Sequence, residues 1–329
     1  MKTLWTAVAL SFLATSPGRE EIAYGLEEDT TLLRSFVAER EDEIVQVSIF
    51  VDGEEVQSTD EVEDQATSLE RVVVRDEILE TEDGVPLDFR RTFVDLHQEN
   101  TRKAGEEESE GTNQSDLSDV TIRFLWDDED ETYYAELDDE DDDVDADVLE
   151  HLTADMDLAP LLPDDEVDEG DSWEVDEQGY LTLMWPSGLV GWYDAEEEDG
   201  PDLGYSLQSV ENLTGEGEAT LEEIRDEDGV RVAVISVELT VETEIELDVS
   251  EEEEELGVTQ TIEEERSVEG ELLWDLDHGH LHSASFEASI EQTLTIAGPA
   301  AGPDGEEIEL EQVIEWEGEV AYTATIERE

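Results

Sequence analysis

The chain contains no cysteine, which excludes disulfides, thiolate metal sites, a cysteine nucleophile and a lipidated N-terminal cysteine. Lysine is nearly absent too. Lys2 and Lys103 are the two present, and arginine supplies the rest of 15 basic residues against 100 acidic ones. Enzyme signatures are also missing: no Gly-x-Ser-x-Gly elbow, phosphate loop, dinucleotide fingerprint or His-Glu-x-x-His occurs. Ser187, in Trp185-Pro186-Ser187-Gly188, lacks the preceding glycine of an elbow. A carboxylate pair for glycoside hydrolysis has 100 candidates, so composition singles out none.

A formal net charge of -85 repels nucleic acid and anionic membrane surfaces and attracts cations. Two physical readings compete for it. Carboxylates spread over a whole surface hold hydrated cations in a salty medium, or a dedicated patch binds a specific cation. The scarcity of lysine along the entire chain favours the first. An apolar stretch from Leu4 to Ala14 follows Met1-Lys2, as in a secretory signal peptide. Ala14-Thr15-Ser16 and the bond after Gly18 are the two candidate cleavage sites, and a buried N-terminal element is the other reading. The stretch is too short to span a bilayer, and no second apolar run reaches spanning length. A mature form without a transmembrane segment is expected.

Strict alternation dominates the later half. Ile235, Val237, Leu239, Val241, Ile245 and Leu247 fall on one face, and Glu238, Glu242, Glu244 and Glu246 on the other. A period of 2 sustained this long is a strand with one buried and one solvated face. The pattern recurs from Ala284 to Ile296, from Ile308 to Ile326, and from Val258 to Leu276, where Ile262, Val268, Leu272 and Trp274 are the buried set. Asp52-Gly53, Asp83-Gly84, Asp226 to Gly229 and Asp277-His278-Gly279 read as hairpin turns. Val45 to Val51, Leu69 to Leu79, Val85 to Leu96, Val120 to Trp126 and Thr132 to Leu137 are further strands, and Asn100 to Ser118 reads as a mobile loop. Val148, Leu149, Leu152 and Met156 lie at helical spacing before Pro160 and Pro163.

Gly170-Asp171-Ser172-Trp173 resembles a phrase of uncharacterised exported β-rich proteins of planctomycete-type bacteria, in which it opens a strand. The resemblance implies an open β architecture similar to the half-barrels of lipoprotein carriers, and no known activity.

Two clusters carry metal-binding chemistry. Asp139, Asp141, Asp143, Asp145 and Glu150 fall on positions 1, 3, 5, 7 and 12 of a calcium loop, although Val144 stands where the sharp turn wants glycine. A solvated acidic loop is the plainer account. His280 and His282, two apart on a strand, are expected to share its apolar face and, with Asp277 or Asp275, to hold Zn²⁺ or Ni²⁺. The plainer account is a half-exposed hairpin end. Arg266, Glu264, Gln292 and Gln312 also sit on buried parity, either lining a polar cavity or, for Arg266 and Glu264, pairing together. Arg71, Arg75, Arg90, Arg91, Arg102 and Lys103 either neutralise nearby carboxylates or form an anion patch.

The expected architecture is mainly β, with long antiparallel meander strands forming curved sheets or open half-barrels and one short helix near 146–158. Its expected divisions are a signal peptide over 1–18, an N-terminal β-rich domain over 19–160, and a C-terminal antiparallel β domain over 161–329. The expected role is a non-catalytic binding or structural protein, secreted or periplasmic, with cations as partners and either no cofactor or Ca²⁺ or another divalent cation. A hydrolase of an extracellular polymer and a calcium-binding surface protein are the readings from other classes.

Overall fold

The computed structural model describes residues 19–60, 62–139, 142, 144–194, 203–227, 229–248, 258–301 and 307–329; the expected signal peptide lies outside them. The first strands are β1 (Thr31–Val51), β2 (Glu54–Thr59), β3 (Asp64–Glu82) and β4 (Val85–Ala104). β5 (Glu107–Gln114), β6 (Thr121–Asp127) and β7 (Thr132–Leu137) follow. The middle of the chain carries α1 (Ala146–Glu150), a 3-10 turn (Ala159–Leu161), β8 (Ser172–Asp176), α2 (Glu177–Met184), β9 (Tyr193–Asp194) and α3 (Gly204–Asn212). Five long strands complete it: β10 (Leu213–Glu227), β11 (Val230–Asp248), β12 (Thr259–Asp275), β13 (His280–Ala301) and β14 (Glu307–Arg328).

All the strands belong to one open antiparallel sheet, ordered β7-β6-β4-β3-β1-β14-β13-β12-β11-β10-β8. Strand residues make up 68 % of the chain and helix 9 %, so the expected mainly β architecture holds. The β10 to β14 meander follows from its unbroken period of 2, and its buried positions match that parity: Val237, Leu239 and Val241, then Val268 and Leu272, then Phe286, Ala288 and Ile290. Asp52 and Gly53 (φ 51° and 77°) and Asp83 and Gly84 (50° and 85°) form hairpin turns of the kind expected, with positive φ at both central residues. The seam between β1 and β14 joins strands of the 19–160 stretch to those of 161–329.

Three local features differ from the sequence reading. The strand beginning at Val45 starts at Thr31 instead, because a register shift between Ile44 and Gln46 breaks its alternation and Arg34 sits in its apolar register. The expected loop over 100–118 contains a hairpin, β4 turning through Gly105 into β5; β5 is exposed along nearly all its length, so no apolar alternation marks it. α1 is shorter than the 146–158 expectation, and α2 and α3 are additional.

The apolar face is covered over one half of the strands by the segments between β5 and α2. Leu117, Val148, Met156, Leu158, Tyr180 and Leu183 are buried in one core with Phe36, Val74, Phe93, Leu239 and Phe286. Toward the other end of the strands Ile262, Leu294, Ile314 and Trp316 are half-buried. At the covered end, residues 24–26 thread between two hairpin tips. Gly25 N–H donates to Gly279 O and Leu26 N–H to Gly84 O, both at 3.0 Å. A Cβ on Gly279 (φ 64°) would lie 2.0 Å from Gly25 N, so only glycine fits there.

Candidate functional site

Pairing the strands aligns their acidic faces. Glu287 stands opposite Glu269, Glu269 opposite Glu238, Glu238 opposite Glu218, and Glu218 opposite Glu174. Glu43, Glu317, Glu291, Glu265 and Glu242 form a second such rung. Ser289, Ser267 and Thr240 lie in the row between them. All ten glutamates are exposed. Directly opposed residues have Cβ atoms about 5 Å apart, and like charges there destabilise a sheet by a few tenths to about 1 kcal/mol per pair. Hydrated cations shared between neighbouring strands would remove that repulsion, since hard divalent ions prefer carboxylate oxygens.

A groove of about 2180 Å³ crosses this face from Glu39 on β1 to Glu174 and Asp176 on β8, with the first rung on its floor. Leu162, Pro163, Val167 and Trp173 line it at the β8 edge. Gly170 (φ 89°) turns the chain there, and Ser172 opens β8. This groove is therefore floored by carboxylates and hydroxyls rather than by the apolar lining of a lipid carrier.

Among the described residues, those of the calcium-loop pattern form no ligand cluster. Asp141 and Asp143 lie outside the described residues. Asp139 and Glu150 are exposed. Asp145 caps α1, accepting the Asp147 N–H at 2.9 Å. Val144, in the glycine position, packs its side chain against the core.

The histidine hairpin is rearranged by a bulge. Leu273 pairs with Ser283 and Trp274 with Leu281, which leaves His282 as the extra residue, half-buried. His280 is buried. The side chains whose ligand atoms converge, all within 4.8 Å of one another, are Asp275, His278 and His280. His282 is outside that group, and so is Asp277, whose Oδ2 accepts the Arg231 N–H at 3.0 Å. The period-2 argument for His280 and His282 fails here because a bulge adds one residue to one strand.

A buried ionic network was not foreseen. Asp76 accepts from Arg91 Nε and Nη2, both at 2.8 Å, and lies 2.9 Å from Arg34 Nε; Arg34 Nη1 reaches Asp157 at 2.5 Å. These four residues are buried. Neither Arg34 Nε nor Nη1 makes a well-directed hydrogen bond. Arg91 Nη1 and Nη2 donate to Ser187 Oγ, Thr153 O and Ala154 O, each at 2.9 Å, and its guanidinium lies over Phe89 and Phe124. Burial, reinforced by Asp157, raises the Asp155 carboxyl above its usual range; burial, reinforced by Asp155, raises the Tyr24 phenol. The signal in the sequence was Arg34 standing in the apolar register of Leu32 and Phe36.

The remaining basic residues mostly neutralise carboxylates. Arg71, Arg75, Arg90 and Arg102 pair with Asp95, Glu329, Asp138 and Asp64. Arg266 pairs with Glu264 at 2.6 Å and donates to the Tyr180 hydroxyl, so the simpler of its two readings holds.

No family model and no curated protein matches the chain. Among solved structures, an outer membrane channel from Pseudomonas putida F1 aligns over 93 % of this chain and 98 % of its own at 9 % identity, with a TM-score of 0.22. The Klebsiella pneumoniae type II secretion system outer membrane complex aligns over 92 % and 41 % at 8 % identity, with a TM-score of 0.17. Pseudomonas aeruginosa OpdQ aligns over 91 % and 97 % at 8 % identity, with a TM-score of 0.13. At such scores the alignments carry no argument. Among the described residues no helix is long and apolar enough to cross a membrane.

Proposed function

We propose that this chain is a non-catalytic, cation-loaded binding or structural protein of the periplasm or cell exterior. The observation that carries the reading is the in-register stacking of ten exposed glutamates in two rungs across adjacent strands. Such an array is unfavourable bare and favourable when cations bridge it. The leader-like residues Met1 to Gly18 support export, as does the resemblance of the Gly170–Trp173 phrase to one of exported β-rich proteins of planctomycete-type bacteria.

The test is equilibrium dialysis against ⁴⁵Ca²⁺ in 0.1 M NaCl, with the Glu238→Gln/Glu269→Gln variant beside the parent. The parent is expected to take up several ions with dissociation constants of about 0.1–1 mM, the range of weak extracellular sites. The variant should bind fewer and be more stable without calcium by about 1 kcal/mol, since it relieves three opposed pairs. Equal uptake by both, or a less stable variant, would remove the rungs as the binding element.

A further inference from the structure

We infer that Asp275, His278 and His280 form a specific site for a borderline transition metal such as Zn²⁺, separate from the glutamate rungs. Asp275 ends β12, His280 opens β13 directly opposite it, and His278 occupies the turn between them. Their ligand atoms already lie within 4.8 Å of one another. A tetrahedral zinc holds nitrogen and oxygen ligands at about 2.0–2.2 Å, so its ligands stand about 3.3 Å apart. The adjustment required is small: Asp275 Oδ2 and His278 Nδ1 already meet at 2.8 Å, and the His278 side chain, 37 % exposed, has room to move toward His280.

The surroundings are those of a metal ligand set. His280 Nδ1 donates to Leu281 O at 2.7 Å, so in the neutral ring Nε2 is the nitrogen that can take a metal. A metal-binding histidine is commonly held in this way, its other ring nitrogen donating to a backbone carbonyl. Asp275 Oδ1 is occupied by the N–H groups of Asp277 and His278 at 2.9 and 3.0 Å. Its Oδ2 meets His278 Nδ1 at 2.8 Å, a contact in which a metal ion would take the place of the proton. The hairpin is held from both sides, by Gly25 N–H on Gly279 O and by Leu281 N–H on Asp157 Oδ1 at 3.1 Å. Two imidazoles and one carboxylate select zinc, cobalt, nickel or copper over calcium, which prefers oxygen.

Co²⁺ is the probe, added to the full chain in 1 M NaCl with millimolar CaCl₂ so that the rungs are screened and filled. The expected result is one equivalent of Co²⁺ giving the visible bands of a tetrahedral ion, displaced by one equivalent of Zn²⁺. His278→Ala and His280→Ala should each lower affinity at least 100-fold, whereas His282→Ala should leave it unchanged. Circular dichroism checks that each variant is folded, and His278→Ala, whose side chain is partly in solvent, is the one least exposed to misfolding. No stoichiometric bands in the parent, or loss of binding by His282→Ala equal to that of His278→Ala, would overturn the site. Failure of calcium uptake in the dialysis experiment would leave these results unaffected, because no rung glutamate is a ligand here.

Discussion

Replacing Asp76 by asparagine is expected to lower the stability of the fold by about 3–5 kcal/mol, the cost of breaking a buried ion pair from one side. The carboxylate is 1 % exposed and lies against two guanidiniums. Without its charge, Arg91 retains the carbonyls of Thr153 and Ala154 and the Ser187 hydroxyl, and Arg34 retains Asp157 alone. Two buried cations then face one another in a medium that screens them poorly. For a chain of this size the loss corresponds to a fall in thermal midpoint on the order of 10 °C. Arg71→Ala is the control: its pair with Asp95 is 2.7 Å long but over 40 % exposed on both sides, and such pairs contribute at most about 1 kcal/mol. Thermal melts of both variants decide the matter. Equal small shifts would mean that the buried network stabilises no more than a surface pair. The Asp76 effect should also persist in 2 M NaCl, since salt does not enter the core.

The opposite salt response is expected of the parent. Ten glutamates opposed in register, on a chain of net charge -85, repel one another whenever the fold is intact, and unfolding lets them separate. The Debye length falls from about 10 Å at 0.1 M salt to about 3 Å at 1 M, less than the roughly 5 Å between opposed positions. The thermal midpoint should therefore rise steeply between about 0.1 and 2 M NaCl, helped by strengthened apolar burial in excluded salts. CaCl₂ should produce the same rise at much lower concentration by bridging neighbours. A melt series in both salts at fixed pH measures this. A midpoint indifferent to both would show that the rungs place no stress on the sheet.

The strands were legible wherever one residue type kept one parity, as from Ile235 to Leu247 and from Ala284 to Ile290. The tight turns were legible because Asp-Gly pairs accept positive φ at both positions. Bulges were not. The shifts at Ile44 and at His282 leave no local mark, and they displaced the start of β1 and separated His282 from the metal ligands. The acidic face of each strand could be read singly, but opposition of Glu238 to Glu269 needs the register of two strands. Neighbour identity was hidden altogether: nothing within β1 encodes that β14 lies beside it. α2 and α3 escaped notice because two turns of helix are too few to establish a period against a strand background.

The seam between β1 and β14 has a consequence for the order in which the molecule is made. It joins distant parts of the chain, with Arg328 reaching Glu27 across 301 positions, yet it runs through the middle of the sheet and not along a border. A ribosome emits β1, β3 and β4 long before β14 exists. During that interval β1 presents one full edge of unpaired amides and carbonyls, a template for pairing with another nascent copy. The seam closes only when the C-terminal strand enters the centre, a high-contact-order pairing, and a chain cut short before β14 would be split down its middle instead of trimmed at its rim.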